Sequence, residues 1–234
     1  MIDIHSHILP GVDDGARTLD DSVEIVRELM SQGVTDIVAT PHYVCETKYV
    51  SLRSENLKRF KELSKRLKQE NIDVKIYLGN EIYIDANILK MLKKKAITSL
   101  NGSKYLLVEL PLNGEYQGYE DILLSFIEAG YEVILAHPER YEIFKKDYKL
   151  VQNLCEEGVL LQCNIGSFVK KYGRDAMKLA RKMAKDKLIF AVGSDIHHCN
   201  RNDFILRAKK KLAKYYSAAE LENVLVNNPK KIIE

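Results

Sequence analysis

No apolar stretch in the 234-residue chain is long enough to span a bilayer, so stable membrane insertion is not expected. The opening MIDIHSH has neither the basic region nor the apolar core of a secretory signal, and a cytoplasmic location is the expectation. Four cysteines (Cys45, Cys155, Cys163 and Cys199) form no C-x-x-C pair, which argues against a zinc ribbon or a disulfide framework. None of them has an arginine after five intervening residues, so the phosphate loop of a cysteine-dependent phosphatase is missing too. No G-x-G-x-x-G follows the first apolar run, leaving a dinucleotide fold without support. Charge of one sign is also lacking: Lys+Arg (36) and Asp+Glu (33) nearly balance at +3. The basic runs KMLKKKA and RAKKKLAKYY sit in helical-looking segments and read as solvated faces, so nucleic acid is not an expected partner. No Ser/Gly/Pro-rich linker divides the chain, and a single domain over residues 1–234 is expected.

What the chain does contain is a recurring unit: an amphipathic helix, a glycine, then a short β-rich run. It reads ELMSQG-VTDIVAT at Gly33, FIEAG-YEVILA at Gly130 and LCEEG-VLLQCNI at Gly158. Glycine just past a helix supplies a left-handed cap, and the following Val/Ile/Leu run suits a buried parallel strand. With IDI at the start, VKIYLG, KYLLVEL and LIFAVGS, seven strands alternate with helices. Such alternation specifies a parallel α/β sheet, and a barrel of seven or eight strands is the better fit.

The histidines and acids fall in one place on that scheme. His5, His7, His42, His137, His197 and His198 each lie at, or just after, the end of an expected strand. Glu81, Glu109 and Asp195 occupy equivalent positions, and Asp14 follows in DDGA. The C-terminal rim of a βα barrel is where such folds do chemistry. His5 and His7 are spaced i and i+2, which points both to one face of an extended segment. Imidazole and carboxylate without thiolate suit Mn²⁺, Fe²⁺ or Zn²⁺. His5, His7, Asp14, His42, Glu81, Glu109, His137, Asp195 and His197 exceed what one ion takes, so two or three ions sharing a carboxylate are expected.

HSH, DDGA, TPH, GNEI, VEL, AHPER and SDIHH together resemble the polymerase and histidinol phosphatase (PHP) superfamily. Within it the chain is most similar to the manganese-dependent tyrosine phosphatases of bacterial capsule and exopolysaccharide clusters, from Met1 to the closing NNPKKI. The resemblance implies a distorted seven-stranded βα (TIM-like) barrel of PHP type with a trinuclear Mn²⁺ cluster. One ion would be held by His5, His7, Glu81 and Asp195, a second by Glu81, Glu109 and His137, and a third by Asp14, His42 and His197. Arg140 would bind the substrate phosphate, and Arg201 falls near a second arginine of the family. A metal-bridging hydroxide is the implied nucleophile, with no covalent intermediate, and a bacterial tyrosine autokinase the implied phosphotyrosine partner.

Three rival readings stand beside this one. A PHP-type phosphatase of a small ester such as histidinol phosphate would keep nearly the same ligands. An amidohydrolase would place a carboxylated lysine where Glu109 stands, and a purely structural metal would leave Arg140 idle. Among neighbouring residues, Asp13 suits a turn better than a metal, and His198 should point away from His197. Tyr116, Tyr119 and Tyr141 lie beside the rim, where they could shape its mouth, and Cys45 and Cys199 read as filler near the ligands.

Overall fold

The computed structural model describes residues 1–113, 117–199 and 203–234, so Arg201 and Tyr116 lie outside the described residues. The strands are β1 (Ile2–Ser6), β2 (Asp36–Ala39), β3 (His42–Tyr43), β4 (Lys75–Leu78), β5 (Glu81–Tyr83), β6 (Tyr105–Glu109), β7 (Glu132–Ala136), β8 (Leu160–Asn164) and β9 (Ile189–Gly193). Every pairing between them is parallel. All seven expected strands are present, but the second and third are each broken in two. Pro41, between β2 and β3, has no N–H to give to a ladder. Asn80, in the matching gap between β4 and β5, fills the break by donating from Nδ2 to the Pro41 carbonyl at 3.1 Å.

The breaks divide the strands into two sheets, β1-β2-β4 and β3-β5-β6-β7-β8-β9. The chain passes from one to the other where β2 runs into β3 and β4 into β5. At the far side, a single bridge between Ser6 and Ile196 brings the end of β9 back to β1. The strands therefore follow one another round a circuit in chain order, joined as two sheets and a bridge rather than as one unbroken ladder. Asp195 N donates to His5 O at 2.9 Å in that closure, and His7 N to Ile196 O at 3.0 Å.

The helices are α1 (Leu19–Ser31), α2 (Arg53–Gln69), α3 (Ile88–Lys93), α4 (Tyr119–Glu128), α5 (Glu142–Lys146), α6 (Lys149–Glu156), α7 (Gly173–Lys185), α8 (Phe204–Leu212), α9 (Ala218–Glu222) and α10 (Asn228–Ile233). Thr18 caps α1, its hydroxyl accepting from Asp21 N, and Asp20 and Asp21 sit favourably in the first turn. Gly33, Gly130 and Gly158 take positive φ just past α1, α4 and α6, as the repeating unit requires. Three helices without a closing glycine end the same way: Asn71 (φ 53°) follows α2, Lys95 (φ 54°) follows α3 and Lys187 (φ 60°) follows α7.

Alternation along the strands separates two cores. Outward residues such as Ile37, Leu106, Val108, Val133, Leu135 and Leu161 pack with Val26, Leu29, Leu63 and Phe126 of the helices. Inward residues Ile2, Ile4, Val38, Tyr105, Leu107, Ile134, Ala136 and Ala191 form a second cluster, closed by Leu100 and by Ile232 of α10. Burial of each large aliphatic side chain there contributes about 1.5–3 kcal/mol.

Candidate metal centre

The inward phase that fills the second core with apolar residues continues upward into ionisable ones. On β6, Tyr105 and Leu107 are core, and Glu109, two residues on, faces the same way. Val38 leads in the same steps through Thr40 to His42, and Ala191 leads through Gly193 to Asp195. Gly193 is required there: a Cβ would come within 2.6 Å of His5 Cβ and 2.9 Å of Gln162 Nε2. On β1 the register shifts between Asp3 and Ser6. Asp3 Oδ1 accepts from His5 N at 3.3 Å and from Ser194 N at 2.9 Å, bending the strand so that His5 and His7 both enter the mouth.

All nine candidate ligands meet there. His5 Nε2 lies 3.2 Å from His7 Nε2, 3.2 Å from Glu81 Oε1 and 3.7 Å from Asp195 Oδ1. His137 Nε2 is 3.0 Å from Glu81 Oε1 and 3.5 Å from Glu109 Oε1. Asp14 Oδ1 stands 3.5 Å from both His42 Nε2 and His197 Nε2. Three sets present donor atoms within 4.8 Å of one another: His7, Asp14, His42 and His197; His5, His7 and Glu81; and His42, Glu81 and Glu109. Compared with the sharing that the resemblance implies, His7 also joins the Asp14 set, and His42 also reaches Glu81, at 2.9 Å from Nδ1 to Oε2. Arg140 borders the cluster, with Nη1 3.0 Å from Asp195 Oδ2.

The donors suit divalent cations. Glu81 Oε2 is crowded by two imidazole nitrogens, His42 Nδ1 at 2.9 Å and His7 Nε2 at 3.4 Å, and His137 Nδ1 is buried without a hydrogen-bond partner among the described residues, although a lone pair so placed ordinarily finds one. Burial drives the Glu109 carboxyl up to about 8, and the neighbouring Glu81 charge adds to the effect. Burial works against a charge on His5, but the Glu81 and Asp195 carboxylates overcome it and carry the imidazole up to about 9. Burial and the His7 charge hold His197 down at about 4, so it is neutral and has a lone pair to offer at physiological pH. Two of the nine also sit in left-handed backbone, His137 at φ 34° and Asp195 at φ 48°, at a cost of about 1–3 kcal/mol each.

A family described as capsular polysaccharide synthesis, CpsB/CapC, matches residues 1–234. The chain belongs to the CpsB/CapC family. It is 35% identical to CapC of Staphylococcus aureus, over 97% of this chain and 89% of that one. It is 33% identical to the tyrosine-protein phosphatase CpsB of Streptococcus pneumoniae, over 100% and 98% of the two chains. A crystal structure reported with YwqE from Bacillus subtilis and CpsB from S. pneumoniae, described as metal-dependent tyrosine phosphatases, superposes with TM-score 0.92 at 31% identity. It covers 100% of this chain and 94% of that one.

In this CpsB/CapC chain a further layer of residues, most of it unread in the sequence, aims the candidate ligands. Gln162 Oε1 accepts from His5 Nδ1 at 2.8 Å, Gln162 Nε2 donates to Asn164 Oδ1 at 3.0 Å, and Asn164 Nδ2 donates to Asp195 Oδ2 at 2.6 Å. The signal was two amides alternating with apolar residues in LQCN, at the buried end of a strand. Asp13 does make the expected turn, accepting from Gly15 N at 2.9 Å, but it also accepts from His7 Nδ1 at 2.8 Å. A carboxylate behind a ligating histidine fixes its tautomer and ring plane. Tyr141 is wholly buried; Leu110 N donates to its hydroxyl at 2.9 Å and the hydroxyl donates to Ala136 O at 2.8 Å, tying β6 to β7 below the mouth. Tyr172 was not foreseen: its ring centroid is 4.8 Å from the Arg140 guanidinium carbon, and its hydroxyl donates to Asp195 Oδ2 at 3.3 Å. His198 is exposed, its ring 6.4 Å from that of His197, and Tyr119 is buried within α4. Among the described residues Cys45 and Cys199 form no disulfide.

Proposed function

We propose that this chain is a metal-dependent protein-tyrosine phosphatase acting on a phosphotyrosine protein, a bacterial tyrosine autokinase of capsule or exopolysaccharide synthesis. His5, His7, Asp14, His42, Glu81, Glu109, His137, Asp195 and His197 are proposed to hold two or three Mn²⁺ ions, and the donor set also suits Fe²⁺ or Zn²⁺. Localisation in the cytoplasm is part of this reading, and among the described residues no helix is long and apolar enough to cross a membrane. The observation that carries it is Arg140, a guanidinium fixed at the edge of nine convergent donors.

Divalent ions bound there supply Lewis acidity toward phosphoryl oxygens and lower the pKa of water. The protein supplies the rest. Arg140, steadied by Asp195 and the Tyr172 ring, presents its remaining N–H groups to a phosphate dianion and orients it over the cluster. Glu81, shared among His5, His7, His42 and His137, sets the spacing of the donors. Arg201 is proposed as a second phosphate contact on the resemblance alone. Small esters such as histidinol phosphate would use the same cluster, and substrate preference separates the two readings.

A phosphotyrosine peptide and histidinol phosphate assayed side by side test this. The peptide should be turned over faster, the rate should vanish on chelation, and manganese should restore it best. Arg140→Ala should lower kcat/KM about 10²-fold or more. A rate indifferent to chelator but abolished by a thiol alkylator would overturn the assignment.

A further inference from the structure

The run RAKKKLAKYY, read above as a solvated face, lines a groove. Arg207, Lys210, Lys211 and Lys214 follow the i, i+3, i+4, i+7 spacing that places side chains on one helical stripe. Ala208 and Leu212 are buried on the opposite side, and Lys209 turns away to donate to Gln32 O at 3.0 Å. The stripe faces Arg181 of α7 and Lys170 across a groove of about 530 Å³ floored by Phe168, Val169 and Met177. Among the described residues no carboxylate lines it. Arg207 pairs with Asp203 at 2.9 Å, and among the described residues the other five cations form no ion pair.

The groove backs onto the catalytic mouth. Lys170 lines the groove, whereas Lys171 and Tyr172 line the pocket of about 280 Å³ that holds Arg140, Asp195 and His197. Lys170 is left-handed, at φ 68°, and Lys171 packs so tightly on Gly166 that a Cβ there would come within 2.7 Å of Lys171 Cδ. The turn that parts the two lysines is thus built into the backbone. Lys170 and Lys171 are consecutive, so the groove and the pocket that holds Arg140 adjoin at one turn of the backbone.

We propose that this groove docks an acidic segment flanking the phosphotyrosine of the substrate protein, a proposal that rests on the phosphatase reading of the neighbouring pocket. A concave trough with an apolar floor and cationic walls suits a single acidic peptide strand better than a flat lipid surface. Five cations without an ion-pair partner among the described residues repel one another in one trough, at a cost to stability.

The test is Lys210→Ala/Lys211→Ala/Lys214→Ala in the full chain, with phosphotyrosine peptides flanked by glutamate or by glutamine and with p-nitrophenyl phosphate. The native protein should prefer the glutamate peptide about tenfold through KM, because three exposed charges together amount to roughly that factor. The preference should fade near 1 M salt, where the Debye length is about 3 Å. The triple variant should lose it, hydrolyse p-nitrophenyl phosphate at the native rate, and melt no lower at low salt. No preference in the native protein, or an undiminished one in the variant, overturns the proposal. Fluorescence anisotropy with an unphosphorylated glutamate-rich peptide separates the two readings. Binding that the triple variant loses supports the groove even if phosphotyrosine turnover fails. Groove-dependent sedimentation with phosphatidylserine vesicles, without peptide binding, would assign the surface to lipid and overturn it.

Discussion

The lower and upper halves of the strand circuit share one inward alternation and put opposite chemistry on it. Below, Ile2, Ile4, Val38, Leu107, Ile134 and Ala191 interlock beneath the mouth and are closed by Ile232. Above, the same phase delivers His42, Glu109 and Asp195, and Glu81 joins them. The lower half contributes apolar burial and demands little else. The upper half gathers carboxylates, leaves His137 Nδ1 buried without a hydrogen-bond partner among the described residues and keeps His137 and Asp195 in left-handed backbone. Stability belongs to one end of the strands and function to the other, and functional sites commonly run at the expense of stability.

The sharpest way to break that comparison is Glu81→Gln. Glu81 faces four imidazoles, so the variant should lose at least about 10³-fold in turnover. Elemental analysis should show its metal content depleted, while the melting temperature of the metal-free protein holds or rises. Unfolding of that variant would mean that the upper half carries stability after all. The mirror experiment is Ile134→Ala, wholly buried in the lower cluster. It should cost about 2–5 kcal/mol in denaturant unfolding and leave metal content and turnover of the folded fraction unchanged.

An intermediate effect is expected one layer back from the ligands. Gln162→Ala frees the His5 ring, and Asp13→Ala frees His7, without removing a donor. Each should weaken metal affinity or activity about 10–100-fold. Titration with the metal should show the loss as a shifted affinity rather than as a reduced number of sites.

Much of this was legible before the fold was in hand. The nine donors stood out because the strand ends carry them at short range: HSH, TPH and SDIHH need only local alternation to be read. Glycine caps marked three helix ends for the same reason. The breaks at Pro41 and Asn80 were less visible, since Pro41 interrupts a ladder only once its neighbour strand is known. Gln162 meets His5 across 157 residues, and an amide in a strand has no spacing that announces a partner. The solvated face of Arg207, Lys210, Lys211 and Lys214 was legible from helical periodicity, but that reports only one wall of the groove, while Arg181 and Lys170 arrive from elsewhere in the chain. Local chemistry is written in the sequence; convergence of distant elements is written in their packing.

The smallest effect should come from a region belonging to neither half. Ser217 caps α9 in a reciprocal box with Glu220, whose carboxylate also takes the Lys187 ammonium at 2.8 Å. Lys187 and the Ser217 N–H pull the Glu220 carboxyl down to about 2. A carboxyl lowered on folding adds stability above its ordinary pKa of about 4.5, and that contribution is lost as pH falls through the folded value. Glu220→Gln should therefore melt slightly lower than the native protein at neutral pH, and the two curves should converge as pH drops toward about 2. The Glu220 side chain is 44% exposed, so salt should shrink the gap further. Metal content and turnover should not move. A loss of either would show that the C-terminal helices, with Ile232 closing the lower core, transmit strain into the mouth, and the division between a stable end and a working end would fail.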